Sequence, residues 1–228
     1  MLQGLIKVVV FNFFIMETKA VIFDLDGVII DSFVVMPEIY KIIKNELNLN
    51  VQEHVFESGN FFKVDWKKHL KRLDITSPQD IKKAVKIYYR EYARLDHLIN
   101  PFPGIKNVLE KLSIHYKLAI VSNSHLEKIE SMLKKFRLLD YFDCIIGADH
   151  GVLKPDPTQF FLCLGCLKVK SKSAVYIGDM EDDVLAARNA QLKKVIVVTY
   201  GFHSEDRLKK AKPDLIISKP EEIVDAVK

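Results

Sequence analysis

Six short apolar runs set what this chain can fold into. They read AVIF (20–23), KLAIVS (117–122), CIIG (144–147), AVYIG (174–178), KVIVV (194–198) and LII (215–217). Each is rich in β-branched residues and continuously apolar rather than alternating. Strands covered on both faces read this way, as they do in parallel sheets. Helical periods lie between them. Residues 104–113 carry Ile105, Val108, Leu109 and Leu112, and residues 125–136 carry Leu126, Ile129, Met132, Leu133 and Phe136. Residues 156–167 and 182–191 repeat the pattern. Strand and helix in alternation predict an α/β fold, a Rossmann-like, doubly wound parallel sheet wrapped by helices. Ligands of such sheets bind beyond the carboxyl ends of the strands.

One stretch breaks the alternation. Residues 33–100 hold no convincing strand, and 36–47, 61–73 and 78–97 have helical spacing. Ser77 and Pro78 form a helix start, with the serine as cap and the proline in the first turn. The expected organisation is an α/β core of residues 17–32 and 101–228, with an all-helical cap, residues 33–100, inserted after the first strand. Residues 1–16, MLQGLIKVVVFNFFIM, form an apolar leader. It is short for a membrane span and lacks the basic start and cleavage site of a signal peptide. A start at Met16 is the expectation, so that the leader is an over-long reading.

Composition narrows the function classes. Hydrophobic residues make up 49% and charged residues 28%, which is globular and not disordered. Lys+Arg 34 against Asp+Glu 30 gives a net charge of +4, and the lysines are scattered. Nucleic acid is not an expected partner, nor is a membrane, and the sequence specifies no oligomeric state. Three cysteines suit a reducing, cytoplasmic setting. CLGC (163–166) has redox or zinc spacing, but no second pair or nearby histidine completes a site, so its cysteines are read as small core residues.

Chemistry gathers where the strands end. DLDG (24–27) follows the first strand, SNS (122–124) the second, LKPDP (153–157) the third and GDMEDD (178–183) the fourth. Singly, these read as a helix cap, a turn and a helix start with acids favouring the dipole. Together they converge on one edge of the sheet. Residues i and i+2 of an extended chain point the same way, so Asp24 and Asp26 face one site while Leu25 packs away. Gly27 lets the chain turn without a side chain in the site. Asp179 and Asp183 add negative charge, which a hard divalent cation such as magnesium offsets. Ser122, Asn123 and the amides of that helix start suit phosphate oxygens. Lys154 neutralises phosphate and carboxylate alike. An acidic cluster, a cation, an anion site and a lysine describe phosphoryl transfer.

These four motifs, in this order, resemble those of the haloacid dehalogenase-like superfamily, from about Lys19 to the C-terminus. The helical insert resembles the branch containing phosphoglycolate phosphatase and β-phosphoglucomutase. The resemblance implies that Asp24 is the nucleophile, forming an aspartyl-phosphate. It implies that Asp26 is the general acid and base, its pKa raised by its charged neighbour. It places a magnesium ion on Asp24, the backbone carbonyl of Asp26 and Asp179, with Asp183 supporting the metal or Lys154. Ser122, Asn123 and Lys154 hold the phosphoryl group. Glu181 and Asp182 match no fixed role and read as helix-start acids. Dehalogenases of this fold lack the second aspartate, so DLDG resembles a phosphate enzyme.

The expected activity is therefore a magnesium-dependent phosphatase for a small phosphorylated metabolite. A phosphosugar mutase of the β-phosphoglucomutase type would share every core residue. Such mutases carry a Gly-Arg-Ser-containing stretch in the cap, and residues 57–73, ESGNFFKVDWKKHLKRL, lack it. A non-catalytic binding protein with the same fold ranks below both, because no motif residue is lost. Candidate substrate readers are His54, Lys63, Trp66, Arg72 and Arg90 in the cap and His125 and His150 near strand ends. Each also has a plain reading as a surface or packing residue.

Overall fold

The computed structural model describes residues 17–51, 70–71 and 73–228. The leader expected at 1–16, residues 61–69 and 72 of the helix expected at 61–73, and His54, Lys63, Trp66 and Arg72 lie outside the described residues.

All six apolar runs are strands: β1 Ala20–Phe23, β2 Lys117–Val121, β3 Cys144–Ile146, β4 Ala174–Gly178, β5 Lys194–Val198 and β6 Leu215–Ile217. They form one sheet in the order β3-β2-β1-β4-β5-β6, every neighbouring pair parallel. The helices are α1 Met36–Glu46, α2 Pro78–Leu95, α3 Ile105–Ser113, α4 Leu126–Lys135, α5 Thr158–Leu167, α6 Glu181–Asn189, α7 Glu205–Ala211 and α8 Ile223–Ala226. Alternate strand residues feed two cores. Val21, Phe23, Ile120 and Ile177 pack with α3, α4 and α8. Ala20, Ile22, Val121 and Tyr176 pack with α5, α6 and α7. Continuous apolar strands are the consequence of these two cores. Cys144 and Cys163 are buried in the second core, whereas Cys166 is exposed, so the small-core reading of CLGC holds for only one of its two cysteines.

The strand order reverses at β1. The next strand in sequence, β2, lies on one side of it, and β4 lies on the other. Such a switch point leaves a crevice beyond the strand ends, since the connections depart to opposite faces.

The described residues between Phe33 and Leu98 contain helices and turns but no strand. The chain leaves and re-enters the core at one place. Ile30 and Pro101 form an antiparallel bridge, Asp31 N–H donates to Asn100 C=O at 2.9 Å, and Phe102 N–H donates to Ile29 C=O at 3.0 Å. Ser77 caps α2 as its position implies, its Oγ accepting from Asp80 N–H at 3.0 Å. Buried Ile39, Tyr40 and Ile43 of α1 and Ala84, Ile87 and Tyr92 of α2 extend the first core into the insertion. Arg90 lies on the exposed face, ion-paired with Glu46 and Glu91. Among the described residues, no helix is long and apolar enough to cross a membrane.

Candidate active site

The crevice holds a cavity of about 230 Å³, lined by Asp24, Asp26, Ser122, Asn123, Lys154 and Asp183 from the expected motifs. Met36, Tyr40 and Tyr88 of the insertion also line it. Asp24 N–H donates to Ile177 C=O at 2.9 Å, continuing the β1–β4 ladder one residue beyond the strand. That bond sets Asp24 beside the end of β4 and therefore beside Asp179. Leu25 is buried and points away, as the period-two reading requires.

The buried Lys154 ammonium ties the cluster together. It lies 3.2 Å from Asp24 Oδ2 and 2.6 Å from Asp183 Oδ1. It also donates to the Tyr176 hydroxyl at 2.8 Å and to Val121 C=O at 3.3 Å. Burial opposes its charge, but Asp183 and Asp24 outweigh that and hold its pKa above the ordinary lysine value. Asp183 is fully engaged. Its Oδ1 accepts from Lys154 and from Tyr176 OH at 2.9 Å, and its Oδ2 accepts from Asp179 N–H at 2.9 Å and Met180 N–H at 2.8 Å. Despite burial, Lys154 and these amides hold its pKa below the ordinary carboxylate value. Asp183 thus fixes Lys154 and the start of α6.

Asp24 and Asp179 carry the electrostatic burden. Burial raises the Asp24 pKa to about 6, with Lys154 opposing the rise and Asp183 and Asp26 adding to it. Asp179 is wholly buried and its pKa is pushed well above the usual range by burial, Asp183 and Asp24. Its Oδ2 accepts from Phe202 N–H at 2.6 Å, while its Oδ1 is buried without a hydrogen-bond partner. Oxygens of Asp24, Asp179 and Asp183 all lie within 4.8 Å of one another. Three clustered carboxylates with an unpartnered buried oxygen suit a hard cation.

Asp26 differs from expectation. Its pKa is lowered, not raised. Burial raises it, but the Lys128 ammonium and the Ser32 and Ser124 hydroxyls outweigh that. Lys128 Nζ lies 3.1 Å from both Asp26 oxygens, and Ser124 Oγ donates to Oδ2 at 2.7 Å. The negative neighbour Asp24 is the group whose titration is displaced upward. Ser124 also departs from the helix-cap reading, because its hydroxyl is turned to Asp26. Asp149 instead caps α4, accepting from Leu126 N–H at 2.7 Å.

The expected anion site is partly committed within the fold. Ser124 N–H donates to Ser122 Oγ at 3.2 Å. The Asn123 side chain clasps the Lys154 backbone, accepting from its N–H at 2.9 Å and donating to its C=O at 3.3 Å. Asn123 therefore positions the lysine as well as lining the cavity. Glu181 pairs with Arg207, whereas Asp182 lines the cavity. His125 is exposed and pairs with Asp149, His150 sits in an exposed turn, and neither is among the described lining residues.

Sequence reasoning missed Lys128, Ser124, Tyr176 and the lining side chains of the insertion. Lys128 did leave a signal. A lysine in the first turn of α4 opposes the helix dipole, so it needs another reason to be there.

Comparison with known proteins identifies the family. The family description "haloacid dehalogenase-like hydrolase" matches residues 21–197, from β1 through the end of β5. The chain is 29% identical over 226 residues to the pyrophosphatase PpaX of Halalkalibacterium halodurans, covering 93% of this chain and 98% of that one. It is 29% identical over 217 residues to the phosphoglycolate phosphatase of Aquifex aeolicus, covering 90% and 95% respectively. A haloacid dehalogenase-like family hydrolase from Streptococcus pneumoniae superposes with a TM-score of 0.80 at 26% identity, over 92% of this chain and 99% of that one. The family match takes in strands β1 to β5, the insertion and the strand ends that carry the acids and the lysine, and the chain belongs to the haloacid dehalogenase-like hydrolase family.

Proposed function

We propose that this phosphatase hydrolyses a small phosphorylated metabolite through an aspartyl-phosphate on Asp24, with residues 33–100 as the cap over the site. Asp24, Asp179 and the backbone carbonyl of Asp26 are the residues that would hold a magnesium ion, and the unpartnered Asp179 Oδ1 supports that fit. When bound, the ion supplies positive charge against the carboxylates and the transferring phosphoryl group.

Each residue then has a task. Asp24 has one oxygen held by Leu25 N–H at 2.8 Å and the other by Lys154, so the nucleophile is oriented before substrate arrives. Lys154 offsets charge at the nucleophile, and Asp183 and Tyr176 keep it in place. Asp26, charged and hydrogen-bonded here, suits the second half-reaction, where it takes a proton from the attacking water. Donating a proton to the leaving oxygen in the first half requires it to gain one, against the pull of Lys128 and Ser124. Met36, Tyr40 and Tyr88 shield the site from water.

The observation that carries this reading is Lys154 lying between Asp24 and Asp183, beside Asp179, at the switch point of the sheet. Turnover of a phosphate-ester panel with magnesium tests it. The panel includes 2-phosphoglycolate, pyrophosphate, sugar phosphates and nucleotides. Asp24→Asn is expected to abolish turnover while keeping the circular dichroism of the wild type. Full activity in that variant would remove Asp24 as nucleophile. Conversion of β-glucose 1-phosphate to the 6-phosphate, in place of phosphate release, would make the enzyme a mutase.

A further inference from the structure

We propose that Lys128 is a specificity-determining residue that receives a negatively charged leaving group. The preferred substrates are then small phosphate esters or anhydrides whose leaving group is itself a carboxylate or phosphate anion. The inference rests on the phosphatase reading and adds the substrate class.

Two lysines are among the described residues lining the cavity, and they are not equivalent. Lys154 is committed to Asp24 and Asp183 and to two neutral oxygens, at the nucleophile. Lys128 stands at the other carboxylate, Asp26, the side from which a leaving group departs. Its side chain is 13% exposed, and its ammonium lies 3.0 Å from Ser124 Oγ and 4.0 Å from the centre of the Tyr92 ring on α2. The Tyr92 face and the Asp26 carboxylate hold the cation at the cavity wall in spite of an unfavourable helix dipole. Among the described residues, the insertion contributes Met36, Tyr40 and Tyr88 to the lining, none of them a cation. Of the described cations, Lys128 is the one placed at Asp26 to meet an anion on the leaving side. About 230 Å³ admits a phosphoryl group and a few more heavy atoms, which suits a small bis-anion.

The reaction balances with water alone. Asp26 first takes a proton from solvent; an Asp24 oxygen then bonds to phosphorus as the bond from phosphorus to the leaving oxygen breaks, and the leaving oxygen takes that proton. Water then attacks phosphorus and gives a proton to Asp26 as the bond between Asp24 and phosphorus breaks, which returns Asp24 as a carboxylate and Asp26 ready for the next turnover. Lys128 stays charged throughout and makes a charge-assisted hydrogen bond to the anionic leaving group. A neutral leaving group gains nothing from it.

The test compares two substrates of nearly equal size, 2-phosphoglycolate and ethyl phosphate, with pyrophosphate as a second anionic case. kcat and KM are measured with magnesium for the wild type, Lys128→Met and Lys128→Arg. The wild type is expected to prefer the anionic substrates. Lys128→Met is expected to reduce that preference roughly 10- to 100-fold, mainly through KM, and Lys128→Arg to retain most of it. Equal losses on both substrate types would mean that Lys128 only positions Asp26, and the inference fails. A wild type without preference overturns it too. No turnover of any ester overturns the phosphatase reading itself, and the inference with it. Circular dichroism of each variant checks folding, and Lys128→Arg keeps the charge should Lys128→Met misfold.

Discussion

Gly27 shows how closely the acid cluster is packed. Its φ is +80°, and a Cβ there would lie 2.1 Å from Asp179 Oδ2 and 2.7 Å from the Phe202 ring. Strain and collision therefore coincide at one residue. Gly27→Ala is expected to destabilise the protein by about 1–3 kcal/mol. Displacing Asp179 should also slow turnover roughly tenfold or more. Denaturant unfolding and steady-state rates check both, and a variant with wild-type values would show that Asp179 tolerates displacement. At this scale the sequence was legible where residues sit next to one another. Asp24, Asp26, Asp179 and Asp183 follow strands that could be recognised, so their convergence could be read. Tyr176 could not be read, because inside AVYIG it looks like another apolar strand residue, and only the fold turns its hydroxyl to Lys154 and Asp183. Nor could the pKa order of the two DLDG acids. It depends on Lys128, which lies 102 residues from Asp26 in sequence.

Among elements, the strands were the most legible. Burial on both faces leaves continuous apolar runs, and all six runs proved to be strands. The long amphipathic helices were legible for the same reason, within a residue or two at their ends. α7 and α8 were not, because one has seven residues with only Leu208 buried and the other is a single turn. Helix starts divide instructively. Ser77 has the local partner that its position implies, whereas Ser124 is drawn to Asp26 and leaves capping to Asp149. A tertiary partner with charge outcompetes a local amide. Ser77→Ala should accordingly destabilise the protein by about 1 kcal/mol through α2. A urea midpoint unchanged by the substitution would show that packing against α1 alone holds that end.

For the whole molecule, the buried acids predict how stability follows pH. The folded chain holds the Asp24 proton with a pKa of about 6, against 3.8 as the ordinary value. Between those values the folded state binds more protons than the unfolded chain, so stability falls as pH rises through the window. Asp179 acts in the same direction, from burial and its acidic neighbours. Asp183, held low by Lys154, contributes stability that is lost only as pH drops below the ordinary carboxylate range. With a chelator present, the Tm is therefore expected to be higher at about pH 5.5 than at about pH 7.5. Magnesium should raise the Tm more at the higher pH, because it binds the deprotonated carboxylates. A Tm at the higher pH that ignores magnesium would remove the proposed ion from this cluster. The bridge between Ile30 and Pro101 has a consequence of another kind. It closes the sheet's connection before the insertion begins, so the insertion is a cassette from the point of view of inheritance. Lengthening such a loop costs little, about 0.6 kcal/mol for each doubling. Descendants of this chain can trim, extend or exchange the cassette, and with it the range of molecules admitted. Asp24, Lys154, Asp179 and Asp183 meanwhile stay where the sheet puts them.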